Sequence, residues 1–105
     1  MAMYMVGYDL TKPVQDYSGL ELALKAYRNW WHHLDSTWIV ETDDSADQVK
    51  NHLRQYLDKN DELLVAALGS PAAWSGFNAK GAHWLKGYLV KHPVHHNKRP
   101  TAAQA

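Results

Sequence analysis

Two amphipathic stretches, each opened by a serine three residues ahead of a Glu or Gln, alternate with short β-prone runs, and that alternation leaves few architectures open. The first opener is Ser18-Gly19-Leu20-Glu21 and the second is Ser45-Ala46-Asp47-Gln48. Both fit a capping box, in which the hydroxyl and the longer side chain reciprocally satisfy backbone N–H groups at a helix start. After the first, Leu20, Ala23, Leu24, Tyr27 and Trp31 recur at helical spacing, which predicts a helix ending near Trp30 or Trp31. After the second, Ala46, Val49, Leu53, Tyr56 and Leu57 form the apolar stripe.

The remaining runs read as strands. Met3–Asp9 is apolar almost without a break, as expected of an interior strand. Ser36–Thr42 is rich in β-branched and aromatic residues, and Glu62–Leu68 is a short apolar run between turn signals. His32–Asp35 is short enough to be a second strand joined tightly to the third. Asn78 is placed to cap a last helix with Ala82, Leu85 and Leu89 on one face.

The order is β-α-β-β-α-β-α. Two β-α-β halves with right-handed crossovers predict an α+β protein: a ferredoxin-like β-α-β-β-α-β antiparallel sheet with both main helices on one face, plus an additional C-terminal helix. Residues 1–90 would form this single domain, and residues 91–105, with two prolines and no apolar stripe, a flexible basic, His-containing tail. The sheet face away from the main helices needs a cover, which the third helix or a second copy of the chain would supply, so a homodimer is expected.

Composition narrows the chemistry. The 105 residues include no Cys, which removes disulfides, thiolate catalysis and Cys-type zinc sites. No apolar run approaches the roughly 18–20 residues that cross a bilayer. The first residues carry no basic segment and no small-residue cleavage site, so a cytoplasmic protein with no membrane partner is expected. Glycine-rich phosphate loops, nucleophile elbows and helical His-Glu-x-x-His are missing, which argues against P-loop motors, Rossmann enzymes, elbow hydrolases and zincins.

Charge is balanced overall but unevenly placed. Residues 1–64 hold six Lys/Arg against eleven Asp/Glu, a net −5, and residues 65–105 hold five Lys/Arg and no acid, a net +5. Lys80 and Lys86 in the basic part, with Lys12 in the loop after the first strand, are the groups offered to phosphate; a basic end that meets an acidic surface on a partner copy, or a solvated, solubilising surface, are the other readings.

Asp9 is the strongest chemical candidate. A carboxylate at the carboxyl end of the first strand can bind a hard cation such as Mg²⁺, which keeps several waters. One Asp is a thin site, and two across a dimer axis, or Asp9 joined by Asp16, a better one; alternatively Asp9 caps its own loop through backbone N–H groups. His32-His33 sits where a helix C-terminus or an acid–base role would suit imidazole. The His92–His96 cluster lacks anything to orient it as a metal site. The five Trp residues suit a core or interface, or a platform for stacking bases.

Met5-Val6-Gly7-Tyr8-Asp9-Leu10 and Leu34-Asp35-Ser36-Thr37-Trp38-Ile39-Val40-Glu41, with the helix between them, resemble the small CRISPR-associated integration-subunit family and the related virulence-associated D toxins. The Asp-Ser-Thr-Trp stretch is closer still to small bacterial and phage proteins labelled SinR-like. The resemblance covers about the first 68 residues. It implies a ferredoxin-like homodimer in which Asp9 and its twin hold Mg²⁺ for phosphodiester cleavage, an endoribonuclease activity, with Ser36 or Thr37 positioning the substrate. In place of the family's arginine cluster after the Asp, this chain offers only Lys12. The alternative is a non-catalytic dimeric module that holds nucleic acid, a nucleotide-derived ligand or a partner protein in a phage or defence setting.

Overall fold

A computed structural model describes residues 1–11 and 17–89. Lys12, Asp16 and the expected tail, residues 91–105, lie outside the described residues. The elements are β1 (Ala2–Asp9), α1 (Ser18–Lys25), β2 (Asn29–Leu34), β3 (Thr37–Thr42), α2 (Ala46–Arg54), β4 (Glu62–Leu68) and α3 (Ala79–Leu89). They form an α+β structure with one four-stranded sheet in the order β2-β3-β1-β4. Each neighbouring pair is antiparallel.

The strand period of two splits β1 between two cores. Tyr4 and Val6 point to the side covered by α1 and α2, where they meet Trp38, Val40, Leu20, Leu24, Val49 and Leu53. Met3 points to the opposite side, where Ile39, Trp31, Leu85 and Leu89 form a second, smaller core under α3. Because both faces are covered over much of its length, β1 reads as a nearly unbroken apolar run. Each fully buried Leu or Val contributes roughly 1.5–3 kcal/mol by leaving water.

Two local expectations are corrected. Trp30 and Trp31 are strand residues, not the end of the first helix: α1 stops at Lys25, and β2 begins at Asn29 and pairs Trp30 with Val40 and Trp31 with Ile39. The helical spacing of Trp31 is coincidental, and tertiary pairing overrides it. At Ser18 no capping box forms; Tyr17 is the N-cap residue and makes no side-chain cap bond, while Glu21 pairs with Lys25 at 2.9 Å. The second box is present, with Gln48 N–H donating to Ser45 Oγ at 3.1 Å and Ser45 N–H to Gln48 Oε1 at 2.8 Å. Asn78 caps α3, accepting from Gly81 N–H at 2.9 Å. No helix among the described residues is long and apolar enough to cross a membrane.

α3 covers only part of its sheet face. Toward the Asp9 end, Leu34 and Leu64 are 47% and 58% exposed. A side chain added at Gly7 would meet nothing within 4 Å. An apolar groove of about 320 Å³ opens on this side, with Met5, Leu34, Thr37, Trp74 and Phe77 among its walls.

Candidate functional site at the end of the first strand

Antiparallel pairing gathers three chain segments at the carboxyl end of β1. Gly7 pairs with Thr37 on one side and with Leu64 on the other. Tyr8 N–H donates to the Ser36 carbonyl at 3.1 Å, which ties the β2–β3 turn to β1. Asp9 pairs in register with Glu62. Asp9, Ser36 and Thr37 therefore share one rim of the sheet. By strand alternation Asp9 and Glu62 fall on the same face as Met3, Met5 and Leu64. Side chains opposed in this way have Cβ atoms roughly 5 Å apart, and like charges placed so repel.

The loop after β1 is pinned by a different acid. Asp61 Oδ1 accepts from both the N–H and the hydroxyl of Thr11, each at 2.8 Å. Its Oδ2 accepts from the Tyr17 hydroxyl at 2.9 Å and from Asp58 N–H at 2.8 Å. Partial desolvation pushes the Asp61 carboxyl up, but the Thr11 and Asp58 N–H groups and the Thr11 and Tyr17 hydroxyls outweigh it, holding the carboxyl at about 2 against the usual 3.8. The capping work that Asp9 might have done thus falls to Asp61. Asp9 itself is exposed and makes no hydrogen bond or ion pair among the described residues.

Tyr8, next to Asp9, points to the α1/α2 side and accepts from Trp38 Nε1 at 3.0 Å. Burial raises its hydroxyl pKa; the Trp38 bond opposes this, and Glu21 and Asp35 add to the rise. The hydroxyl stays protonated at neutral pH, a fixed strut for the strand end.

Positive charge reaches this end from an unexpected quarter. Lys50, Arg54 and Lys59 line a hollow of about 490 Å³ together with Leu57, Asp58, Asp61 and Leu63, beside the start of β4, and Lys50 is paired with Asp47 at 2.8 Å. Lys50 and Arg54 are four apart on α2 and so share a helix face. Lys80 and Lys86 stand on α3 instead, which packs against β2; Lys80 lines a notch there and Lys86 is exposed. Sequence reading missed Glu62 and the Lys50/Arg54/Lys59 group. The signal for Glu62 was available: if β1 and β4 pair antiparallel, the acid ending one must meet the acid starting the other.

Among the described residues no group of three or more His, Asp or Glu could hold a metal ion by itself. Two opposed carboxylates still suit Mg²⁺, which is commonly held by one or two carboxylates with substrate phosphate and waters completing its shell. No protein-family model and no solved structure matches the chain.

Proposed function

We propose that the chain is a ferredoxin-like homodimer of the CRISPR-associated integration-subunit and virulence-associated D type, and that it cleaves phosphodiester bonds, most directly in RNA, at the Asp9 rim. The strand order β2-β3-β1-β4 with every pair antiparallel supports the fold assignment. The observation that carries the activity is the division of labour between two acids. Asp61 is saturated with loop hydrogen bonds, while Asp9 is exposed and opposed by Glu62.

Asp9 and Glu62 would hold the cation, and Asp9 of a second copy would complete the site. When bound, Mg²⁺ would polarise the phosphate and lower the pKa of a bound water. Thr37 and Ser36 on the neighbouring strand end would orient the substrate. Arg54 and Lys59, on the α2 side of the sheet, would neutralise phosphates that pass around this end of it, an interaction that weakens with salt. The half-open sheet face, with Leu34, Leu64 and Met5, supports pairing with a second copy.

The test is incubation of the chain with labelled RNA and Mg²⁺. Wild type cleaves and Asp9→Asn does not, with at least a hundred-fold loss in rate; cleavage unchanged by Asp9→Asn would end the proposal. A second reading, favoured by Lys12 standing where the resembled family carries an arginine cluster, is a non-catalytic dimeric module for nucleic acid, a nucleotide-derived ligand or a partner protein. That reading requires nucleic-acid retention by wild type and Asp9→Asn alike, with no cleavage by either.

A further inference from the structure

At the opposite edge of the sheet, Trp30, Trp31, His32, His33, Lys80 and Trp84 line a notch of about 360 Å³. This lies within the range of roughly 300–1,000 Å³ usual for small-ligand sites. Its aromatic walls are held in place by neighbours. Trp31 is 3% exposed and donates its indole N–H to the Gly81 carbonyl at 3.2 Å. Trp84 stacks on Tyr88 at 4.5 Å between centroids, and Trp30 lies 5.5 Å from Trp38. α3 approaches β2 this closely because residue 81 has no side chain: a Cβ there would stand 3.0 Å from His33 Cε1.

The lining chemistry is selective. Among the described residues no carboxylate contributes to it; a lysine and two imidazoles do. Trp30 is 39% exposed, with Lys25 Nζ, itself paired with Glu21 at 2.9 Å, over part of its ring at 5.7 Å from the centroid. Among the described residues β2 pairs with β3 on one side only, so its outer backbone N–H and C=O groups are not used in the sheet. A partly exposed indole ring, a half-buried one and Lys80 at the margin of the notch suit a flat heteroaromatic ring attached to an anion. A stacked nucleobase with its phosphate has that form, and only an unpaired base offers its face.

We propose that this notch binds an unpaired base of single-stranded nucleic acid, with the base against Trp30 or Trp84 and an adjacent phosphate at Lys80. The proposal rests on the nucleic-acid part of the reading above but uses none of the Asp9 chemistry.

The test is titration of the full chain with a short labelled oligouridylate in the presence of a chelator, at two salt concentrations, following tryptophan fluorescence and anisotropy. Trp30→Ala is expected to weaken binding roughly 5- to 150-fold, the usual effect of removing one stacking ring. Lys80→Gln should reduce the slope of log affinity against log salt by about 0.7. Lys86→Gln, on the same helix but outside the notch, should bind as wild type does. Wild-type affinity in both Trp30→Ala and Lys80→Gln, with circular dichroism unchanged, overturns the proposal while leaving Asp9-dependent cleavage standing. Loss of binding in those variants alongside cleavage indifferent to Asp9→Asn upholds the notch and removes the catalytic reading. No binding by wild type at low salt overturns the notch outright.

Discussion

One oxygen of Asp61 takes both the backbone N–H and the hydroxyl of Thr11, each at 2.8 Å, and so joins residues fifty positions apart at the mouth of the candidate site. The opposing push of desolvation is overcome by these bonds and those from Asp58 and Tyr17, and the carboxyl is held at about 2. Its folded pKa lies below the ordinary value of 3.8, so the contribution is complete above that value and is lost as pH falls through about 2. Urea unfolding at a series of acid pH values should show Asp61→Asn less stable than wild type above pH 4, with the gap closing toward pH 2. A gap that does not change across this interval contradicts the hydrogen-bond account.

Tyr27 presents the reverse case. Its hydroxyl is buried and has no hydrogen-bond partner among the described residues, although its ring packs on the larger core. Burial, with the nearby charge of Asp44, raises its pKa above 10.0. An unsatisfied buried hydroxyl is destabilising by about 1–3 kcal/mol, so Tyr27→Phe should be neutral to stabilising in chemical denaturation. Ionisation of the unfolded chain draws wild type toward unfolding as pH rises past 10, a loss the Phe variant lacks. The advantage of Tyr27→Phe should therefore grow in alkali; a clear destabilisation at neutral pH would show that the hydroxyl has a partner.

The capping box on α2 gives a third expectation. Ser45 and Gln48 satisfy each other's backbone N–H groups, and α2 carries Val49 and Leu53, both fully buried. Ser45→Ala should lower stability by about 1 kcal/mol. Hydrogen exchange should quicken first at the amides of the opening turn of α2. Unaltered exchange there would mean that packing of Val49 and Leu53 alone fixes the helix start.

Much of this architecture was legible from residue pattern alone. Glu62–Leu68 was located to the residue because turn signals bound it on both sides, and Ser45–Gln48 marked its helix because the box and the apolar stripe agree. The failures cluster between residues 18 and 34. The Ser18–Glu21 pattern satisfies the box rule, yet Glu21 is drawn to Lys25, and no local rule ranks these competing partners. Asn29–Leu34 is a strand because β3 is beside it; Asn29 donates to the buried Glu41 at 2.6 Å, a contact visible only in the sheet. The site followed the same division. Asp9, Ser36 and Thr37 could be named because they lie at strand ends in sequence. Glu62 and the α2 lysine and arginine required knowing which strand and helix stand beside β1.

The Asp9–Glu62 pairing makes the last expectation. Two carboxylates opposed on one sheet face repel, and on the proposed reading a cation held between them would relieve that repulsion. Glu62→Gln removes the repulsion without changing shape, so the metal-free variant should be more stable than wild type by roughly 0.2–1 kcal/mol. Mg²⁺ should invert the order, because a ligand that binds only the folded chain stabilises it by about 2.7 kcal/mol at a hundred times its dissociation constant. Thermal unfolding with and without Mg²⁺ measures both effects. Wild type should gain stability with the ion while Glu62→Gln and Asp9→Asn gain much less. Equal gains in all three would place the ion elsewhere and leave Glu62 a surface charge opposed to Asp9 without a role in binding it.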